Sequence, residues 1–206
     1  MKTFALVLAA TLGLAVPASA AVVGVFSDTF NYGPDTILNA DDSVFGGNWN
    51  VTNGTVDYLA SGSGFSELCP TGHNCVDLDG STGASGLFST AMTFGAGVYN
   101  VLFQISGSGR MSNEEVTVSF GGVSYTIALG SSDTGSQAGI AAFSNIHVGA
   151  GGTKLSFQNA GGDNVGIILK SVNIDQVAAV PLPAAGGLML AGLAGLAGLR
   201  RRKARV

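Results

Sequence analysis

The side chains whose type and spacing could do chemistry in this 206-residue chain are mainly carboxylates. Asp77 and Asp79 stand two residues apart in an extended segment, so they project from one strand face roughly 7 Å apart. Glycosidase acid/base pairs use that separation as well. Asp28, Asp77, Asp79 and Asp163 also offer the hard oxygens that a structural calcium takes, although solvated carboxylates at strand edges and turns are the plainer reading. Glu114-Glu115 reads the same way. The two histidines, His73 and His147, lie in no nucleophile-elbow context, and His147 between Ile146 and Val148 reads as an ordinary strand histidine. Cys69-Pro70-Thr71-Gly72-His73-Asn74-Cys75 holds the two cysteines. With His73 they give three metal ligands, but a fourth is missing locally. In an oxidising compartment a disulfide between Cys69 and Cys75 is the expected product.

The elements that must position these groups are strands. Tyr99, Val101, Phe103 and Ile105 alternate with Asn100, Leu102, Gln104 and Ser106, which places an apolar stripe on one face. In Val116 to Ile127, a Gly121-Gly122 turn sets Phe120 opposite Val123, Val118 opposite Tyr125 and Val116 opposite Ile127. Asn53-Gly54 predicts a second hairpin that pairs Val51 with Val56 and Trp49 with Tyr58. Further strands are expected at 22–26, 75–79, 87–94, 140–148, 153–158 and 165–174. No interior window carries a 3.6-residue apolar period. Nine or ten short antiparallel strands make an all-β sandwich or jelly roll.

The two ends read differently. Lys2, the apolar run from Phe4 to Val16 and Ala18-Ser19-Ala20 form a secretory signal peptide over residues 1–20. Residues 21–177 are the sandwich domain, and 178–206 a C-terminal segment. There, Pro183 to Leu199 is an uncharged helix of about 25 Å, just long enough to span a bilayer, followed by Arg200, Arg201, Arg202, Lys203 and Arg205. Those cations hold the C-terminus on the cytoplasmic side. All thirteen acidic residues lie between Asp28 and Asp175, against only Arg110, Lys154 and Lys170, so the intervening domain has a net charge of −10. A surface this acidic does not attract nucleic acid or anionic lipid.

Val180-Pro181-Leu182-Pro183-Ala184, the short glycine-bearing span and the basic tail together resemble the PEP-CTERM class of sorting signals, in its VPLPA variant. That resemblance implies an inner-membrane intermediate, processing by an exosortase-type enzyme near the motif, and release to the cell surface or extracellular matrix. An ordinary membrane anchor is the alternative. Asn48 to Asp57, Cys75 to Gly83 and Asn159 to Gly166 resemble jelly-roll domains of exosortase-sorted proteins, related to galactose-binding-like sugar-binding modules. The resemblance implies a binding or matrix role. One departure stands out: where such modules often carry an acidic calcium ligand in the last strand, Gly166-Ile167-Ile168-Leu169-Lys170-Ser171-Val172 has Lys170.

These readings lead to a non-enzymatic exported surface or matrix protein, structural or adhesive, without a required cofactor. The alternative is a carbohydrate-binding module for exopolysaccharide, with Tyr32 and Phe65 as the loop aromatics available for a sugar platform, because Trp49 and Tyr58 are committed to the core. A hydrolase ranks last.

Overall fold

A computed structural model describes residues 22–65, 68–69, 72–110, 113–130, 133, 139–178 and 192–196. The signal peptide over 1–20, the Val180 to Ala184 motif, most of the Pro183 to Leu199 span and the tail from Arg200 to Arg205 lie outside the described residues. Within that span, residues 192–196 are helical. Among the described residues no helix is long and apolar enough to cross a membrane. Val22–Ala178 forms one compact unit with its own core.

Among the described residues twelve strands build that unit: β1 (Val22–Asp28), β2 (Ile37–Ala40), β3 (Trp49–Thr52), β4 (Val56–Leu59), β5 (Cys75–Asp77), β6 (Leu87–Thr90), β7 (Gly97–Ser106), β8 (Glu114–Phe120), β9 (Val123–Leu129), β10 (Gly139–Val148), β11 (Ser156–Asn159) and β12 (Ile168–Val177). They form two antiparallel sheets. The larger has seven strands in the order β10-β7-β12-β5-β4-β2, with β1 also paired to β12; the smaller has five, β3-β6-β11-β8-β9. Period-two alternation puts Tyr99, Val101, Phe103 and Ile105 of β7 and Val116, Val118 and Phe120 of β8 into the space between them. A row of rings fills the centre, with Trp49 stacked on Phe88 at 4.3 Å and Phe30, Phe45, Phe103 and Phe157 around the pair.

The Gly121-Gly122 hairpin has the expected register, Phe120 to Val123, Val118 to Tyr125 and Val116 to Ile127. Both glycines have positive φ, 63° and 80°, as a type I′ turn requires. The Asn53-Gly54 hairpin does not form. Asn53 takes φ 64°, but β3 pairs with β6 in the five-stranded sheet, while β4 pairs with β5 and β2 in the seven-stranded one. The turn therefore carries the chain from one sheet to the other. The reason is burial. All four residues of β4 are buried, which leaves no polar face for the outside of a hairpin. Gly54 crosses so close to the neighbouring chain that a Cβ there would lie 2.3 Å from the Ala84 carbonyl oxygen.

The sequence reading also missed β2 and the 3-10 turn Asp42–Phe45. Asp41 caps that turn by accepting from the Ser43 amide at 2.9 Å, and Gly46 ends it in the left-handed conformation.

Candidate functional site

The carboxylates singled out from the sequence are spread over separate structural tasks. Asp28 ends β1, is buried, and accepts from the Phe30 amide at 2.7 Å, from Trp49 Nε1 at 2.7 Å and from the Tyr32 hydroxyl. Asp77, at the end of β5, is buried against Arg110, whose guanidinium donates to its Oδ2. Burial dominates its titration and, despite Arg110, raises its pKa to about 7. Asp79 is fully buried in the turn after β5. Its Oδ2 accepts from the Val165 amide at 3.2 Å, and burial followed by the charge of Asp163 raises its pKa. Asp163 is exposed and accepts from the same amide at 3.1 Å.

Among the described residues no three His, Cys, Asp or Glu side chains are grouped to hold a metal ion. Of the four aspartates, Asp28 turns its oxygens to Trp49, Tyr32 and Phe30, Asp77 to Arg110, and Asp79 and Asp163 to the Val165 amide. Glu114 is buried rather than solvated and faces Asn159 Nδ2 at 3.4 Å. Lys170 is buried at the bulge between Leu169 and Ser171 of β12, and desolvation lowers its pKa.

Cys69 and Cys75 are joined by a disulfide with Cα atoms 5.4 Å apart, which removes the thiolate-plus-His73 metal site from consideration. The bridge is no mere surface-loop staple. Both cysteines are buried with Leu59 and Ile168 in a small second core.

The two aromatics expected as a sugar platform take different places. Tyr32 is half-buried, with its ring edge-on to Phe45 and Tyr58 and its hydroxyl held between Asp28 and Asn48 Nδ2. Burial and the Asp28 carboxylate raise its pKa above the usual phenol range. Phe65 is exposed on the loop leading to Cys69.

A cleft of about 240 Å³ lies elsewhere, on the outer face of the seven-stranded sheet. The strands that send Val101, Phe103, Val172 and Ile174 inward send their alternate residues outward here. Ser27 of β1, Asn173 of β12 and Leu102 of β7 stand in one row across three strands, with Ser171 and Gln104 paired in the next. Thr29 closes one end. Leu102 is 45% exposed in the middle. Nothing within the described residues hydrogen-bonds the side chains of Ser27, Gln104, Ser171 or Asn173, so their hydroxyl and amide groups face outward uncommitted. The alternation of β7 had already marked Leu102 and Gln104 as outward. What the sequence did not disclose is that β12 and β1 lie beside them.

Chemically, such a surface can exchange hydrogen bonds with a neutral polyhydroxylated ligand and cover one apolar patch. Among the described residues its lining side chains are uncharged.

No family model matches the sequence, and no curated protein matches it either. Among solved structures, the chain is similar to TmCBM61 in complex with beta-1,4-galactotriose, at 20% identity, covering 62% of this chain and 88% of that one with a TM-score of 0.43. It is similar to the CBM22-1 xylan-binding domain of Paenibacillus barcinonensis Xyn10C, at 12% identity over 80% and 99% of the two chains, TM-score 0.46. It is also similar to the K3 cleaved adhesin domain of Lys-gingipain from Porphyromonas gingivalis, at 17% identity over 75% and 99%, TM-score 0.41. These likenesses reach no further than the β-sandwich fold.

Proposed function

We propose that Val22–Ala178 is a non-catalytic carbohydrate-binding β-sandwich whose ligand lies across the outer face of the seven-stranded sheet. The observation that carries this reading is the cleft around Leu102, where Ser27, Gln104, Ser171 and Asn173 present hydrogen-bonding groups that no other described residue engages. Amides and hydroxyls exchange bonds with sugar hydroxyls, and Leu102 covers the C–H face of a ring. Phe103, the aromatic among the described lining residues, is buried and turns its ring into the core, so binding is weak, with a dissociation constant on the order of 0.1–1 mM for a short oligosaccharide.

The test is calorimetry and affinity electrophoresis with neutral polysaccharides. Replacing both Gln104 and Asn173 with Ala removes two net hydrogen bonds of about 0.5–1.5 kcal/mol each, so binding should weaken roughly 10- to 100-fold while the melting temperature holds. Retained affinity in the double variant, or no binding to any neutral glycan, refutes the site.

Delivery belongs to the same proposal. The VPLPA-like motif, the span and the basic tail support export to the cell surface or matrix through an inner-membrane intermediate and an exosortase-type enzyme. A structural or adhesive role in that matrix is compatible with weak, repeated sugar contacts. Mass spectrometry of the mature protein tests the route: a C-terminus between Pro181 and Ala184 supports processing, and a mature chain still ending in Arg205-Val206 favours an ordinary anchor.

A further inference from the structure

Among the described residues, one edge of the five-stranded sheet is left without a neighbouring strand, a second surface independent of the cleft. β9 ends that sheet, and all seven of its residues keep unbroken register with β8, from Glu114–Leu129 to Phe120–Val123. Its sequence, Val-Ser-Tyr-Thr-Ile-Ala-Leu, has no charge, proline or glycine. Ser124, Tyr125, Thr126 and Ala128 are exposed.

Long flat edges are normally blunted, because a row of free N–H and C=O groups recruits another strand. The other edges here are blunted. β2 and β3 have four residues each, and β2 is irregular between Ile37 and Ala40. β10 is interrupted between Phe143 and Ile146, where Asn145 takes φ 57°. β1 is interrupted between Gly24 and Phe26 and carries Asp28. Among the described residues β9 has none of these protections.

We infer that β9 is a homodimerisation strand, pairing antiparallel with β9 of a second copy so that the two five-stranded sheets become one. The two-residue hairpin fixes which groups are free. Phe120 and Val123 flank the turn as a hydrogen-bonded pair, as do Val118 with Tyr125 and Val116 with Ile127, so Ser124, Thr126 and Ala128 turn their N–H and C=O groups to the open side. A two-fold axis at Thr126 pairs Thr126 with itself and Ser124 with Ala128, making about six backbone hydrogen bonds.

The same axis sets Tyr125 beside Ile127 and Val123 beside Leu129 on the inner face. There Tyr125, 46% exposed, and Val123, 36% exposed, extend the core outward, and Tyr125 stacks on Phe143 at 4.5 Å. Small polar and small residues meet on the outer face. The strand is therefore complementary to itself on both faces. Charge selects the occupant too. Each domain carries −10, yet this strand carries nothing, so two copies meet here without opposing like charges, and a basic foreign strand finds no acidic partner within it.

The experiment is sedimentation velocity on the full chain in non-ionic detergent, together with disulfide trapping. The dimer fraction should rise with concentration, and it should rise again with salt as the remaining domain repulsion is screened. T126C should give a reducible dimer on oxidation, because its partner across the axis is itself. A128C alone should not, whereas mixed S124C and A128C chains should cross-link. T126P removes a bridging N–H and should be monomeric. Should it fold poorly, T126K keeps that N–H, gives up only an exposed hydroxyl contact with Thr117 at 3.4 Å, and opposes two ammonium groups at the axis; it should be monomeric with an unchanged circular dichroism spectrum. A chain that stays monomeric, a dimer that survives T126P or T126K, or equal trapping at Ala128 and Thr126 overturns the proposal.

Discussion

Asp28→Ala should be among the most damaging single changes in this protein. The carboxylate takes three donors, two from the loop that follows β1 and one from β3: the Phe30 amide at 2.7 Å, the Tyr32 hydroxyl and Trp49 Nε1 at 2.7 Å. Phe30 and Trp49 are fully buried, so truncation strands two donors where no water reaches them. Bonds to an ionised acceptor are worth about 1.5–3 kcal/mol each. Tyr32 is half-buried, keeps Asn48 as a partner and is counted lightly. The expected loss is about 3–5 kcal/mol, a large part of the 5–15 kcal/mol that domains have.

Urea unfolding followed by fluorescence reads it directly, because Trp49 is the lone tryptophan. With a slope of about 2 kcal/mol per molar, the midpoint should fall by roughly 2 M. Asp28→Asn keeps one acceptor but turns an N–H₂ toward a donor, and should lose about half as much. A loss below about 1 kcal/mol for the Ala variant would refute the argument. So would a loss seen only with calcium present and abolished by chelation, because that result would make Asp28 a metal ligand and not the acceptor that ties β1 to Trp49.

Three more outcomes follow from the same contacts. Cys69→Ser removes a seven-residue closure worth about 2.4 kcal/mol of loop entropy and leaves a hydroxyl beside Leu59 and Ile168, so urea titration should show a loss of about 3 kcal/mol, and the native wild type should label no thiol. The raised pKa of Asp77, about 7, means that the folded state holds a proton that the unfolded chain releases near pH 4; stability from this group is present below pH 4, falls as pH rises, and levels off above about 7. Asp79 acts in the same direction, so Asp77→Asn should flatten, without abolishing, the decline in melting temperature between pH 4.5 and 7.5. Gly54→Ala should cost about 2 kcal/mol or more by the same urea assay, because its Cβ would press on the Ala84 and Ser85 carbonyls, while Gly62→Ala meets nothing within 4 Å and serves as the control at another positive-φ glycine.

Two turns with equally strong local signals show where the sequence was legible and where it was not. Gly121-Gly122 lies between arms that both alternate over seven residues, so local geometry and burial agree and the register could be written down in advance. Asn53-Gly54 offers the same turn chemistry, but Val56, Asp57, Tyr58 and Leu59 are buried on both faces. A strand with no wet side belongs inside a sheet, here between β5 and β2, and long-range pairing overrode the turn.

The buried acids were hidden for a related reason. Asp28, Asp77 and Asp79 look like surface carboxylates until Trp49, Arg110 and the Val165 amide arrive from residues far along the chain. The cleft was half visible. Leu102 and Gln104 could be placed on the outer face of β7 by alternation alone, whereas Ser27 and Asn173 joined them only through the register that runs from β1 across β12 to β7. A binding face made of small polar side chains has no motif, because its information lies in which strands are neighbours. Tyr32 shows the same limit: an aromatic in a loop carries no sign in the sequence that a buried carboxylate four residues earlier takes its hydroxyl.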